Sequence, residues 1–205
     1  MKVYEQFVSF QGEGPSMGIP AFFCRFAGCQ LRCWFCDTKL AWKGENVVPV
    51  EFPAGLKLTV ITGGEPLWGP NRANAYAIAQ EALLRGMRVE VETNGLEGWF
   101  DEGSGYVRYI VSPKLFDLDL AYSVVSKWVM KKDELDFVFK FVVDTPDDLL
   151  MVKDLVGDFY PYRVWIMPQG IDSTSLIEKS KLFTDFVLER RWNLSSRLHV
   201  FYGIR

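Results

Sequence analysis

Short apolar runs rich in β-branched and aromatic residues recur along this chain, and they limit its fold more than any other feature. Turn-forming residues flank most of the runs, which is typical of β-strands. The predicted strands are 21–26, 58–62, 88–93, 109–112, 137–143, 163–167 and 198–203. A chain with this many short apolar strands must bury them against helices or a second sheet.

Segments with helical patterns fall between several of these strands. Segment 71–86 is rich in alanine and leucine, 145–157 begins with a capping threonine followed by proline, and 172–191 is amphipathic. A further helix is predicted within 115–135. Segment 95–105 is glycine-rich and poorly periodic, so some crossovers lack a full helix. The alternation of strands and helices predicts an α/β fold with a mainly parallel sheet.

The length and charge of the chain narrow its class. A length of 205 residues predicts one domain, 1–205, built as a parallel barrel or sheet with three to four full helices. The net charge of -3 argues against a nucleic-acid-binding protein. The sequence shows neither a signal-peptide pattern nor an apolar run of roughly 18 residues, so we expect no membrane contact and a cytoplasmic location. Thiols stay reduced there, and a disulfide framework is not expected.

Three cysteines are spaced C-x3-C-x2-C, and they are the most informative polar feature. They are Cys29, Cys33 and Cys36, and a fourth cysteine, Cys24, lies upstream. In a reducing compartment such clusters bind metal or carry out redox chemistry. Spacing alone leaves three alternatives: a four-cysteine zinc site, a 4Fe–4S cluster on three cysteines, or ordinary buried cysteines.

Strand alternation weakens the zinc alternative. Within 21–26, Cys24 shares a face with Phe22 and Phe26, whereas Arg25 points to the opposite face. Cys24 is therefore predicted to be a core residue. Three thiolates then remain on a loop after a strand, and a cubane cluster held by three ligands keeps one iron open to a small molecule.

A second motif, ITGGEP at 61–66, directly follows the next predicted strand. Its glycines allow close approach of the backbone to a ligand, and Glu65 is placed to receive an ammonium group. Alone the motif indicates only a turn. Combined with C-x3-C-x2-C, it resembles the radical S-adenosylmethionine superfamily. In that superfamily three cysteines hold a 4Fe–4S cluster, and a GGE-type strand end meets the methionyl amine.

Further motifs make the chain similar to one family of that superfamily, the 7-carboxy-7-deazaguanine synthases. They are FQGEG 10–14, GIPA 18–21, CRFAGC 24–29, CDT 36–38, TGGEP 62–66, VETNG 91–95, SPK 112–114 and LHVFYGIR 198–205. The resemblance runs from Gln6 to Arg205 and is thin between 115 and 160. Some members carry a long insert between the first two cluster cysteines, whereas this chain has the superfamily's commoner spacing.

The resemblance implies a fold and an activity. The fold would be a partial, modified (β/α)6-type barrel with reduced helix content. The substrate would be 6-carboxy-5,6,7,8-tetrahydropterin, converted to 7-carboxy-7-deazaguanine and ammonia in the biosynthesis of deazapurines such as the queuosine precursor. A reduced 4Fe–4S cluster would cleave S-adenosylmethionine, and the resulting radical would abstract hydrogen from the substrate. Mg2+ would assist, a protein such as flavodoxin would supply electrons, and the enzyme would be a homodimer.

The resemblance also implies site residues. Cys29, Cys33 and Cys36 would hold the cluster, and Thr38 would bind Mg2+. The residues implied for S-adenosylmethionine are Gly64, Glu65, Asn94, Ser112, Pro113, Lys114, Met167, Pro168, Gln169 and Gly170. The residues implied for the pterin are Phe10, Gln11, Gly12, Glu13, Arg25, Thr62, Glu92, His199 and Arg205. Arg25, Glu92 and His199 among them would be catalytic.

The residue pattern supports part of this assignment. Arg25 lies opposite the Cys24 face and could bind a carboxylate through two parallel hydrogen bonds. Glu92 shares its strand face with Glu90, which is unusual unless that face is polar and occupied. Lys140 interrupts an apolar strand without a predicted role. The run 198–203 alternates and is predicted to be a packed last strand. The resemblance implies that His199 and the terminal carboxylate meet the pterin.

Two other functions fit some of these features. An activase that makes a glycyl radical on a partner protein would share the cysteines and the GGE-type motif, without needing FQGEG or Arg25. A zinc-stabilised binding module would need only the cysteines. His199 is the one histidine of the chain, so a Ser–His–Asp triad is a weak idea.

Overall fold

A computed structural model describes residues 1–101 and 106–204 and places an eight-stranded sheet at the centre of the protein. The strands are β1 Lys2–Val3, β2 Glu5–Phe10, β3 Pro20–Phe26, β4 Val48–Pro49, β5 Leu58–Gly63, β6 Arg88–Thr93, β7 Val107–Val111, β8 Asp136–Val143, β9 Val164–Pro168 and β10 Asn193–Leu194. The central sheet has the order β10-β9-β8-β7-β6-β5-β3-β2. β1 and β4 form a separate antiparallel pair.

Every pairing in the central sheet is parallel except that of the edge strand β2 with β3. The two ends of the strand order, β2 and β10, do not pair with each other in the described part of the chain, so the sheet curves without closing. The predicted α/β fold, a partial and modified barrel with a mainly parallel sheet, is confirmed.

The first four of the five helices lie where helices were predicted. They are α1 Asn71–Leu84, α2 Leu118–Val129, α3 Pro146–Val156, α4 Ser173–Glu189 and the short α5 Leu198–Tyr202. N-terminal capping contacts explain where α2, α3 and α4 begin. Asp117 and Asp172 accept hydrogen bonds from the backbone N–H three residues later, and Thr145 forms a capping box with Asp148. The helix predicted within 115–135 is α2.

The main core lies between the sheet and helices α1 to α4. Trp128 of α2 is fully buried, and its ring packs against Tyr109 of β7 and Phe137 of β8. Cys24 of β3 belongs to the same core, whereas its neighbour Arg25 lines a cavity on the other side. The two faces of β3 therefore differ as the alternation of its residues predicts.

The prediction of a last strand over 198–203 is wrong. The segment forms helix α5 and pairs with no strand in the described part of the chain, because its backbone bonds elsewhere. The Leu198 N–H donates to Gly12 O at 3.0 Å, and Gly203 ends the helix with a left-handed φ of 62°. β2, an edge strand with no buried residue and with as many polar as apolar residues, was not predicted, nor were the two-residue strands. No helix in residues 1–101 and 106–204 is long and apolar enough to cross a membrane.

Candidate active site

A cavity of about 260 Å³ opens where the parallel strands end. The carboxyl ends of parallel strands meet at one edge of a sheet, and ligands of α/β proteins bind there. Every predicted site residue that the structure describes lines this cavity, except Pro113 and Gly170. Pro113 lines a second cavity of about 220 Å³, and Gly170 is buried and lines neither cavity. Arg205 lies outside the described residues.

The cysteine loop forms one wall of the cavity. Cys29, Cys33 and Cys36 line it as free thiols, whereas Cys24 is fully buried in the core. Burial raises the pKa of the Cys24 thiol to about 12, which suits an unreactive core residue.

The same wall fits an anionic iron–sulfur cluster. Three thiols on one loop supply the soft donors that iron–sulfur clusters take. Burial lowers the pKa of Lys114, which faces Cys29 and Cys33, and an anionic group on these cysteines would offset that effect. The donor set and its charge environment therefore match the predicted cluster.

The end of β5 clamps the cysteine loop by backbone contacts. The Gly64 N–H donates to Phe26 O at 2.8 Å, and the Glu65 N–H donates to Gly28 O at 2.7 Å. A Cβ on Gly64 would lie only 1.9 Å from Gly28 O, so no other residue fits without displacing the loop. Glycine is required here for a close approach and not for its φ.

The carboxylate of Glu65 is buried and already accepts three hydrogen bonds. Its Oε1 accepts from Leu67 N and Thr93 Oγ1, and its Oε2 accepts from Asn94 N at 2.7 Å. Burial raises the pKa of Glu65 despite these donors. Glu65 therefore holds the ends of β5 and β6 together, and only its remaining lone pairs can receive a ligand ammonium.

The opposite wall carries the residues predicted for the pterin. Glu92 accepts hydrogen bonds from Gln11 Nε2 at 3.1 Å and Thr62 Oγ1 at 2.7 Å. Arg25 forms an ion pair with Glu5 at 3.0 Å at the cavity margin. Phe10 lines the cavity and is half exposed. The predicted polar face of β6 is therefore occupied by cross-strand contacts.

Comparison with known proteins shows which family the chain belongs to. The chain is 36% identical over 98% of its length to the 7-carboxy-7-deazaguanine synthase of Hyperthermus butylicus, of which it covers 92%. The chain belongs to the 7-carboxy-7-deazaguanine synthase family. It is also 32% identical to the Pyrobaculum aerophilum synthase, covering 98% of this chain and 93% of that one. No protein-family model matches the chain.

A solved structure supports the fold. The crystal structure of QueE from Escherichia coli superposes with a TM-score of 0.69 at 21% identity, covering 95% of this chain and 92% of that one. The fold of this family member is therefore shared with a solved structure over nearly its whole length.

The structure adds three charged residues to the site of this 7-carboxy-7-deazaguanine synthase family member. Lys140 donates to Glu13 Oε2 at 2.5 Å and lies 4.0 Å from Glu92, and Arg197 donates to Glu13 and to Asp37. Burial alone would raise the pKa of Glu13, yet Lys140 and Arg197 hold it at about 2. A lysine inside an apolar strand was the only sequence signal for these contacts.

His199 reaches the cavity from α5. Its Nε2 lies 3.9 Å from Glu13 Oε1, and its ring packs against Gly12, where a Cβ would lie 2.4 Å from Nδ1. Burial lowers the pKa of His199, and nearby Glu13 opposes that shift. Glu13, Asp37 and His199 have ligand atoms within 4.8 Å of one another, but Arg197 bonds both carboxylates and already supplies positive charge between them.

Proposed function

We propose that this protein converts 6-carboxy-5,6,7,8-tetrahydropterin to 7-carboxy-7-deazaguanine and ammonia. One observation carries the proposal. The three free cysteines, the Gly64–Glu65 strand end and the polar set around Glu13 and Glu92 line one cavity. The product and ammonia together contain the atoms of the substrate, so the conversion needs no net oxidant.

Cys29, Cys33 and Cys36 would hold a 4Fe–4S cluster, with S-adenosylmethionine beside it. When bound, these cofactors supply the radical that starts the ring contraction. The chain itself orients the cofactor. The remaining lone pairs of Glu65 would accept hydrogen bonds from the methionyl ammonium. Lys114, whose Nζ lies 2.9 Å from Ser112 Oγ, would offset the negative charge of the cluster and its cysteine ligands. The Asn94 amide and the turn Met167–Gly170 would complete this half of the site.

The other half would bind the pterin. Glu13 and Glu92 would be acceptors for the donor edge of the ring, and Lys140 lies beside both. Lys140 and Arg197 keep the pKa of Glu13 low despite its burial. Arg25 would bind the substrate carboxylate by exchanging its contact with Glu5. His199, which burial favours in the neutral form, can donate or accept one proton at the ring edge. We further propose an electron donor of the flavodoxin kind, a homodimer and a cytoplasmic location.

Anaerobic turnover tests the function. The protein is reconstituted with iron and sulfide, reduced, and given S-adenosylmethionine, Mg2+ and 6-carboxy-5,6,7,8-tetrahydropterin. Mass spectrometry should detect 7-carboxy-7-deazaguanine. Abundant 5′-deoxyadenosine without that product would favour the activase alternative. A colourless protein with one tight zinc and no cofactor cleavage would overturn both radical functions.

Thr38→Ala should weaken the stimulation of turnover by Mg2+ without lowering iron content. Thr38 Oγ1 lies 3.3 Å from Asp37 Oδ1 at the cavity wall, so one hard oxygen ligand would be lost. We expect the Mg2+ concentration that gives half-maximal stimulation to rise about tenfold, because losing one group around a metal site weakens metal affinity by about that factor. Thr174→Ala, on the exposed face of α4, is the matched control. An unchanged Mg2+ response in Thr38→Ala would remove Thr38 from the metal site.

A further inference from the structure

Arg197 is buried at the junction of three segments that are far apart in sequence. It is 7% exposed. Its Nε donates to Glu13 Oε1 at 3.1 Å, its Nη1 donates to Gly170 O at 2.7 Å, and its Nη2 donates to Asp37 Oδ2. Three nitrogens of one guanidinium thus bond three acceptors in different directions.

The three acceptors belong to different parts of the site. Glu13 lies in the loop after β2 that faces the proposed pterin position. Asp37 lies between the cysteine Cys36 and the proposed Mg2+ ligand Thr38. Gly170 ends the turn proposed for S-adenosylmethionine. Arg197 itself lies immediately before α5, the helix that carries His199.

The charges around Arg197 alternate in sign. Lys140, Glu13, Arg197 and Asp37 form a chain of ion pairs, and Lys140 and Arg197 have side chains that are 7% and 9% exposed. The pairs of Glu13 with Lys140 and Arg197 are largely shielded from water, so these charges are strongly coupled. The Asp37 side chain is 52% exposed, so water weakens its pair with Arg197, and that contact positions the loop more than it stabilises the fold. Glu13 would keep Lys140 after loss of Arg197, but Asp37 would lose the one cation that the described contacts give it.

We infer that Arg197 is a positioning residue that aligns the cysteine loop with the substrate side of the site. The expected effect of Arg197 on turnover rests on the proposed function. Its expected effect on the order of the loops does not. Only arginine has enough donors in a rigid fork to bond all three acceptors. Without Arg197 the two halves of the site keep their own ligands but lose their relative position, so cofactor cleavage continues while less of it leads to product.

The test compares Arg197→Lys and Arg197→Met with wild type and with Arg108→Lys. Arg108 is a suitable control because it pairs with Asp136 at 3.0 Å, where β7 and β8 pair close to their first residues. Hydrogen–deuterium exchange of the reconstituted protein is measured over residues 11–16, 28–42 and 167–172. Both Arg197 variants should exchange faster in all three segments, with unchanged iron content, and Arg108→Lys should not.

Turnover gives the second measurement. The ratio of 7-carboxy-7-deazaguanine to 5′-deoxyadenosine should fall about tenfold or more in Arg197→Lys, since small misplacements at a reacting centre cost up to about 10²-fold. Asp37→Asn should also speed hydrogen–deuterium exchange over residues 195–204. Asp37 and Arg197 hold each other in place, so weakening their contact should loosen both segments.

Two results would overturn the inference. One is faster exchange confined to 195–204 in both Arg197 variants, and the other is a wild-type ratio of product to 5′-deoxyadenosine in Arg197→Lys. If Arg197→Met does not fold, Arg197→Lys decides, since it keeps the charge. If wild type makes no 7-carboxy-7-deazaguanine, the proposed function fails, and the exchange measurement alone decides the role of Arg197.

Discussion

Cys33→Ala should abolish product formation while the protein stays folded. Cys33 is a buried wall residue of the cavity, and the chain has no further free thiol there to replace the lost ligand, since Cys24 is fully enclosed in the core. A cluster with two remaining cysteine ligands is not retained. We expect iron content to fall to background and turnover to drop by on the order of 10³-fold or more, beyond the 10–100-fold effect of outer-shell changes.

Cys24→Ala is the matched control for this experiment. It removes a buried thiol of similar size, so it should lower the free energy of unfolding by about 1 kcal/mol and leave iron content unchanged. Iron content and visible absorbance after reconstitution are measured for both variants, with thermal unfolding as a check on folding. Equal iron loss in the two variants would mean that Cys24 is also a ligand. Retained iron in Cys33→Ala would remove Cys33 from the ligand set.

Gly64→Ala should lower both the stability of the protein and its turnover, although it adds only one methyl group. The new Cβ would lie 1.9 Å from Gly28 O and 2.6 Å from Gly28 C, which are backbone atoms that can move only with the cysteine loop. Moving the loop breaks the hydrogen bond from Glu65 N–H to Gly28 O. We expect overpacking to lower the free energy of unfolding by about 1–3 kcal/mol. We also expect turnover to fall by about 10²-fold, because cysteines and strand end would no longer be aligned.

Gly69→Ala separates the stability effect from the positional one. Gly69 has a φ of +54°, and no atom lies within 4 Å of the position that an added Cβ would take. Alanine there therefore costs about 1–2 kcal/mol of backbone strain without touching the loop. Gly69→Ala should lose comparable stability and keep turnover near wild type. Equal turnover in the two glycine variants, measured below both unfolding transitions, would show that Gly64 acts only through stability.

Local patterns were sufficient for much of the fold and for one half of the site. The helix starts at Thr145 and Asp172 follow from capping chemistry within four residues, whereas the start of α2 at Asp117 was not predicted within 115–135. The opposite faces of Cys24 and Arg25 follow from the two-residue period of a strand. The cysteine spacing and the GGE-type motif are also local, and both lie where the strands end. Short-range rules predict such features because the interacting groups are close in sequence.

The residue pattern predicts the parallel α/β architecture, the cysteine loop and the face of β3 on which the core lies. Packing of distant segments makes 198–202 a helix, although its alternation also fits a strand, because the Leu198 N–H bonds to Gly12 O. The same packing also decided the network of Lys140, Glu13, Arg197 and Asp37, whose members are up to 184 residues apart. Ion pairs between distant segments depend on how the whole chain packs, and a burial pattern along one element cannot specify the partner of a charge.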